Sequence, residues 1–320
     1  MTDKADLRPL GASGLWTPPL IFGGNVFGWT ADEPTSFSIL DAFVGGGGTM
    51  IDTADSYSAW APGNKGGESE TVIGHWLSQR GRRGEVQIAT KVGFMCGLDA
   101  ANIERAVEGS LRRLRTDYID LYYAHRDDLD VPLEETLSAF DRLVKTGKVR
   151  AIGASQIEAD RLERALSISE ANGWTPYSVL QTWYSILERP RFEDALGPLA
   201  KRRGLGVATF FSLGNGYLTG KYRSRADLTK SVRADRVEPY LDGRGPEILS
   251  AIDRVAEEAR ATPAQVALGW TAAQPGVTAP LASASSVAQI EELLGCLQLK
   301  LTPDQLARLD AASAGTPPIA

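Results

Sequence analysis

Cysteine is nearly missing: Cys96 and Cys296 are the only two in 320 residues, too few and too far apart for a disulfide framework or a metal site. No apolar run approaches the roughly 20 residues that cross a bilayer. Residues 1–10 are polar and lack the apolar core of a secretory signal. These absences predict a cytoplasmic protein that makes no membrane contact. Surplus positive charge is missing as well. The net charge of -6 argues against a protein that grips nucleic acid by neutralising phosphates. A glycine loop for phosphate is also lacking: Gly45 to Gly48 lead into an apolar run without Gly-Lys-Ser/Thr, so they read as a helix C-terminus. Gly23-Gly24-Asn25-Val26-Phe27-Gly28 fits the dinucleotide fingerprint of an open doubly wound sheet poorly.

The residues that are present describe an ordinary globular protein, 43% apolar and 23% charged, long enough for one large core or two modest ones. Short apolar runs near 21, 50, 86–91, 118–125, 149–155, 178–181, 206–210 and 276–281 read as strands. Helical patterns separate most of them, at 32–44, 68–79, 100–115, 133–145, 158–170 and 191–202. Further helices are expected at 246–260, at 262–274 behind the cap Thr262-Pro263, and from Thr302, where Thr-Pro-Asp-Gln forms a capping box. Most neighbouring strands lie about 30 residues apart, as right-handed βα units require. Eight such units predict a closed (β/α)₈ TIM barrel, one domain over 1–320. A long loop follows the seventh strand. This segment, 213–244, contains Lys221, Arg223, Arg225, Lys230, Arg233 and Arg236, and connections of such length are usually functional or disordered.

Chemistry in such a barrel sits at the C-terminal strand ends. Those ends carry Asn25, Asp52 with Tyr57, Lys91, His125, Ser155, Gln181, Phe210 with Ser212, and Ser283. A Lys ammonium against a Tyr stabilises phenolate, and an Asp beside the Lys keeps it charged. A neighbouring His can orient a carbonyl or help pass a proton. Together the four can protonate a carbonyl oxygen as hydride reaches its carbon. Plainer readings exist for others: Glu68 as a helix-start carboxylate, His75 as a surface or packing residue, and Trp29, Trp60 and Trp183 as packing more than pocket lining. Ser155 and Gln181 could instead satisfy backbone groups at the rim. His125-Arg126-Asp127-Asp128 mimics a kinase catalytic loop, but the Asn expected at 132 is Pro. Asp52 and Asp55 could be a glycosidase carboxylate pair, a reading that leaves Lys91 without a purpose.

Asp52-Thr53-Ala54-Asp55-Ser56-Tyr57, Ala89-Thr90-Lys91-Val92-Gly93 and Asp120-Leu121-Tyr122 with His125 resemble, in order, the catalytic segments of the aldo-keto reductase family. Gly67-Glu68-Ser69-Glu70 through Gly74, Ser110-Leu111-Arg112-Arg113-Leu114, Gly147-Lys148-Val149-Arg150-Ala151-Ile152-Gly153 and Leu218-Thr219-Gly220-Lys221-Tyr222 extend the resemblance over nearly the whole chain. It implies a carbonyl–alcohol oxidoreductase with Asp52, Tyr57, Lys91 and His125 catalytic and Tyr57 as general acid. It implies NADP(H), with NAD(H) possible, bound across the barrel mouth without a Rossmann fold.

The resemblance gives the carboxamide to Ser155, Gln156 and Gln181, and stacking on the nicotinamide to Phe210. It puts the pyrophosphate near Ser212, Leu213 and Gly214 under the long loop, and the adenosine phosphate at Ser283, Ser285 and Gln289. Gly24, Asn25, Asp52 and Lys221 complete the implied cofactor contacts. Gln156 stands where an Asn is usual, Phe210 where Tyr or Trp is, and Gln289 where an Arg is. Ser283 and Leu293 replace a Gly and an Asn. Small carbonyl or alcohol substrates are the implied partners, and the sequence carries no signal of oligomeric state. Some family members are cofactor-sensing channel subunits, so a regulatory subunit with little turnover is the alternative.

Overall fold

Eight short parallel strands close on themselves in the computed structural model, which describes residues 7–230 and 232–315. A two-stranded hairpin, β1 (Arg8–Pro9) and β2 (Trp16–Thr17), comes first. The barrel then comprises β3 (Ile21–Gly23), β4 (Met50–Asp52), β5 (Gln87–Val92), β6 (Ile119–Ala124), β7 (Val149–Ser155), β8 (Val179–Trp183), β9 (Gly206–Phe210) and β10 (Ala279–Ala282). Each strand pairs with the next, and β10 returns to β3. This is the (β/α)₈ barrel that the spacing of apolar runs predicts.

The packing follows the two-residue period of a strand. Ile21, Met50, Ala89, Leu121, Tyr123, Ala151, Val179, Ala208, Ala279 and Leu281 fill the interior. Their neighbours Phe22, Ile51, Ile88, Tyr122, Ile152, Leu180 and Val207 belong to the second core, under the helices. Two residues on from the interior set stand Asp52, Lys91, His125, Gln181, Phe210 and Ser283, and Ser155 stands four on from Ala151. The same alternation that fills the barrel therefore brings these residues to its C-terminal mouth. The opposite end is closed by Leu10 and Leu15 of the hairpin, which join the interior cluster. A Cβ on Gly206 would lie 2.4 Å from the Leu10 carbonyl carbon, so only glycine lets the floor approach so closely.

The outer ring is α1 (Glu33–Gly45), α2 (Glu68–Arg80), α3 (Ala100–Leu114), α4 (Leu133–Lys145), α5 (Ala159–Asn172), α6 (Gly197–Arg203), α7 (Ala234–Val237), α8 (Gly245–Ala259), α9 (Pro263–Ala273), α10 (Val287–Leu294) and α11 (Pro303–Ser313). Thr262 with Gln265 and Thr302 with Gln305 form reciprocal capping boxes that start α9 and α11. Glu68 accepts from the N–H groups of Lys65 and Gly66, which shapes the turn into α2. His75 pairs with Glu33 on the surface.

Two local features differ from the sequence reading. The helix expected at 191–202 opens with a wide π turn, Phe192–Leu196, in which Gly197 N–H reaches back to the Phe192 carbonyl. Pro198, with no N–H to give, follows at the start of α6. The long segment after β9 is not a featureless loop. It folds into short helical turns at Gly214–Thr219, Arg225–Lys230, Ala234–Val237 and Glu238–Leu241, with Tyr217 stacked on Tyr240.

Candidate active site at the barrel mouth

Asp52 ends β4, and the chain turns at once, so that Tyr57 reaches back over the same point. Tyr57 Oη lies 3.2 Å from Asp52 Oδ2 and 2.9 Å from Lys91 Nζ. Lys91 is wholly buried; its ammonium donates to Asp52 Oδ2 at 2.5 Å and to the Thr53 carbonyl at 2.8 Å. All three Lys donors are thus used, and one points at the phenol oxygen. Asp52 Oδ1 accepts from Gln181 Nε2 at 2.8 Å. His125 lies edge-on to Tyr57 with ring centroids 5.8 Å apart, and against Phe94 at 4.9 Å. Its Nδ1 is 3.4 Å from Ser56 Oγ, a long contact.

Burial governs the protonation states. Burial lowers the Lys91 pKa, and Asp52 works against that shift. Burial, then the nearby charges of Lys91 and Arg126, push His125 well below the usual imidazole range, so it is neutral at pH 7. The sequence reading has Lys91 depressing the Tyr57 phenol. The surroundings act the other way: burial first, then the Asp52 carboxylate that accepts the phenol hydrogen bond, hold Tyr57 well above its ordinary value. The phenol accordingly keeps its proton at neutral pH, which is the state a proton donor needs.

The other expected residues divide. Ser155 is buried at the end of β7 beside Gln181 of β8. Phe210 stands at the mouth against Trp183 and Phe211, with centroids 6.4 and 5.1 Å away. Ser283 Oγ donates to Asn25 Oδ1 at 2.7 Å, joining the first and last barrel strands, and Gly24 N–H binds the Asp52 carbonyl. Gln289 Oε1 accepts from both Ser285 N–H and Ser285 Oγ at the start of α10. Three side chains are turned elsewhere. Gln156 donates to the His125 carbonyl and adopts a left-handed φ of 47°. Ser212 Oγ donates to the Thr209 carbonyl. Lys221 Nζ lies 5.0 Å from the centre of the Tyr222 ring.

Leu213 is partly buried against the core, and a Cβ on Gly214 would meet Leu187 at 2.7 Å. Trp29 and Trp60 pack edge to face at 5.6 Å, and Trp60 also touches Tyr57, so these tryptophans wall the mouth and are not remote packing. Sequence reasoning missed the Thr53 carbonyl on Lys91, the Gln181 contact to Asp52, and Ser56 beside His125. Only Ser56 had any signal, through its place in the Asp52–Tyr57 segment.

The fold is thus a closed (β/α)₈ barrel that gathers Lys91, Tyr57, Asp52 and His125 at its C-terminal mouth, the end where barrel enzymes carry their chemistry. Residues 19–314 match the model of the aldo/keto reductase family, and the chain belongs to that family. It is 34% identical over 314 residues to the uncharacterised oxidoreductase YrpG of Bacillus subtilis (strain 168), covering 94% of both chains. It is 30% identical over 286 residues to aldo-keto reductase yakc [NADP(+)] of Schizosaccharomyces pombe, covering 85% of this chain and 80% of that one. The norsolorinic acid reductase of Aspergillus flavus is 29% identical over 321 residues, covering 94% of this chain and 79% of its own. Family membership makes the chain an oxidoreductase of carbonyl and alcohol groups. Among the described residues no helix is long and apolar enough to cross a membrane, and no cluster of three His, Cys, Asp or Glu could hold a metal.

Proposed function

We propose that the protein is an NADP(H)-dependent reductase of aldehydes or ketones in which Tyr57 is the general acid. The observation that carries this reading is the Lys91 ammonium, which lies 2.5 Å from Asp52 Oδ2 and 2.9 Å from Tyr57 Oη. Tyr57 protonates the carbonyl oxygen of the substrate, and the phenolate that forms keeps a charge-assisted hydrogen bond from Lys91. Asp52 and the Thr53 carbonyl hold the ammonium in place, and Gln181 holds Asp52. His125, neutral and beside Tyr57, orients the same carbonyl oxygen. In the reverse direction the phenolate takes the proton of an alcohol.

The nicotinamide cofactor would supply the hydride. Residues at the ends of β8 and β9 fit it: Trp183 Nε1 and Asn215 Oδ1 are buried polar atoms with no hydrogen-bond partner among the described residues, and Phe210 presents a flat ring. Ser155 and Gln181 would hold the carboxamide, with Gln181 Oε1 as acceptor because its Nε2 serves Asp52. Ser283, Ser285 and Gln289 would meet the adenosine phosphate at the start of α10.

Selectivity for that phosphate is weak in this reading. No Lys or Arg occurs between 283 and 294, and Gln289 is bonded to Ser285. In the long segment, Arg223 is paired with Asp253, and Arg225 with Glu238 and Asp242. A helix N-terminus contributes about 0.3–1 kcal/mol, so the preference for NADPH over NADH is nearer tenfold than thousandfold. The test is absorbance of the reduced cofactor with a panel of aldehydes, giving kcat/KM for NADPH and NADH. A preference above about 10³ would overturn the weak-selectivity reading. Tight cofactor binding without turnover of any carbonyl or alcohol would overturn the reductase reading in favour of a cofactor-sensing subunit.

A further inference from the structure

Beside Lys91 stands a partly buried carboxyl, that of Asp55, which the chemistry above does not use. Asp55 N–H donates to the Lys91 carbonyl at 3.2 Å, which sets the two residues side by side. Asp55 Oδ1 is buried with no hydrogen-bond partner among the described residues. Four other ionisable groups are electrostatically coupled to the Asp55 carboxyl. They are Glu70 from α2, Arg113 from the end of α3, Lys91 from β5 and the Tyr122 phenol from β6. Glu70, itself fully buried, is claimed by Arg113 at 2.6 Å and by Thr90 Oγ1 at 2.5 Å. Asp52 is claimed by Lys91. Three carboxyls thus share two cations, and Asp55 is the one without a cation of its own.

We propose that Asp55 is a positioning residue for the acid–base pair: its negative charge, when present, holds the shared proton on Lys91 and Tyr57 to a higher pH than Asp52 alone would. The proposal rests on the reading of Tyr57 and Lys91 given above. Ionising all three carboxyls would leave one surplus negative charge in buried surroundings. Burial, then Glu70, accordingly raise the Asp55 carboxyl to about 7. Above that pH its charge favours the Lys91 ammonium. Loss of a proton from Lys91 then removes the cation that the Asp55 charge favours, and loss from Tyr57 adds a negative charge to a site that already has one, so both are opposed. The two groups titrate as a coupled pair, so the direction is the same whichever of them loses the proton.

Asp55→Asn tests this without touching the reacting groups. Below about pH 6 the wild-type carboxyl is neutral, so reduction rates of the two proteins should agree within about threefold. Above neutrality the variant should lose its proton-dependent rate at a pH about one unit lower than the wild type. In the cofactor-free protein, ¹³C labels on the Asp carboxyl, Lys Cε and Tyr Cζ report the same events without turnover. The carboxyl signal missing from Asp55→Asn should titrate near 7, and the Lys91–Tyr57 signals should shift about one unit lower in the variant. An Asp55 signal titrating near 4, or an unmoved Lys91–Tyr57 titration, overturns the proposal. Absence of turnover by the wild type would sink the reductase reading alone, because the cofactor-free titrations still decide on Asp55. Folding is checked at pH 8. An ionised Asp55 costs stability there, so Asp55→Asn should melt at or above the wild-type temperature.

Discussion

Replacing Lys91 by Met keeps most of the side-chain volume and removes the ammonium, and the geometry gives the size of the effect. At an effective dielectric of about 20, a unit charge 2.9 Å from a phenolate oxygen stabilises it by about 6 kcal/mol. Asp52 Oδ2, 3.2 Å from the same oxygen, opposes it by about 5 kcal/mol. The ion pair therefore nearly cancels at Tyr57, and deleting Lys91 leaves the carboxylate unopposed. The phenol should then titrate on the order of four units higher, beyond reach in an enzyme assay. Alcohol oxidation, which needs phenolate, should fall by on the order of 10⁴-fold at pH 9, where the phenol of both proteins is still protonated. Lys91→Met with Asp52→Asn removes both opposing charges and should recover part of that loss, a coupling that additive effects would not produce. The assay is the pH profile of kcat at saturating cofactor for wild type, both single variants and the double variant. A loss of less than about a hundredfold in Lys91→Met, or strict additivity in the double variant, would refute the electrostatic argument and leave Lys91 a mere scaffold for Asp52.

Tyr57→Phe retains the ring and the Trp60 contact but not the proton; reduction should slow by about 10²–10⁴-fold with cofactor affinity little changed, and more than a tenth of the wild-type rate would refute its role. His125 is held neutral in the fold and titrates near 6.5 unfolded, so the unfolded chain binds more protons in acid. Its contribution to stability is complete above about pH 6.5 and is lost, by up to about 1.4 kcal/mol per unit, as the pH falls below that. Melting curves of His125→Gln should show a shallower loss between pH 7 and 5 than wild type; parallel curves would show that His125 does not carry the acid limb.

Much of the architecture is legible in the sequence because it follows local periodicity. The eight strands were readable as apolar runs, and the pattern at 133–145 coincides with α4, whose apolar face and first-turn acids suffice to define it. The capping boxes at Thr302 and the cap at Thr262 rest on contacts three residues apart. The hairpin at Arg8–Pro9 and Trp16–Thr17 escaped notice because two-residue strands have no period to read. The π turn before α6 and the turns after β9 depend on how one wide ring or a few residues pack, which no pattern announces.

The four ionisable residues gathered at the mouth were visible for a related reason. Asp52, Lys91 and His125 each close an apolar run, Tyr57 follows Asp52 in the next turn, and in a barrel strand ends share one mouth. Which atoms meet there was decided only by closure of the sheet. Gln181 reaches Asp52 from 129 residues away, and Ser283 reaches Asn25 from 258. Gln156 turns to the His125 carbonyl, 31 residues away. The protonation of Tyr57 and Asp55 lay further still from the sequence. A chain of letters states which groups are ionisable. Burial and the count of opposing charges within a few ångströms set where each one titrates, and both exist only once β4, β5, α2 and α3 have packed together.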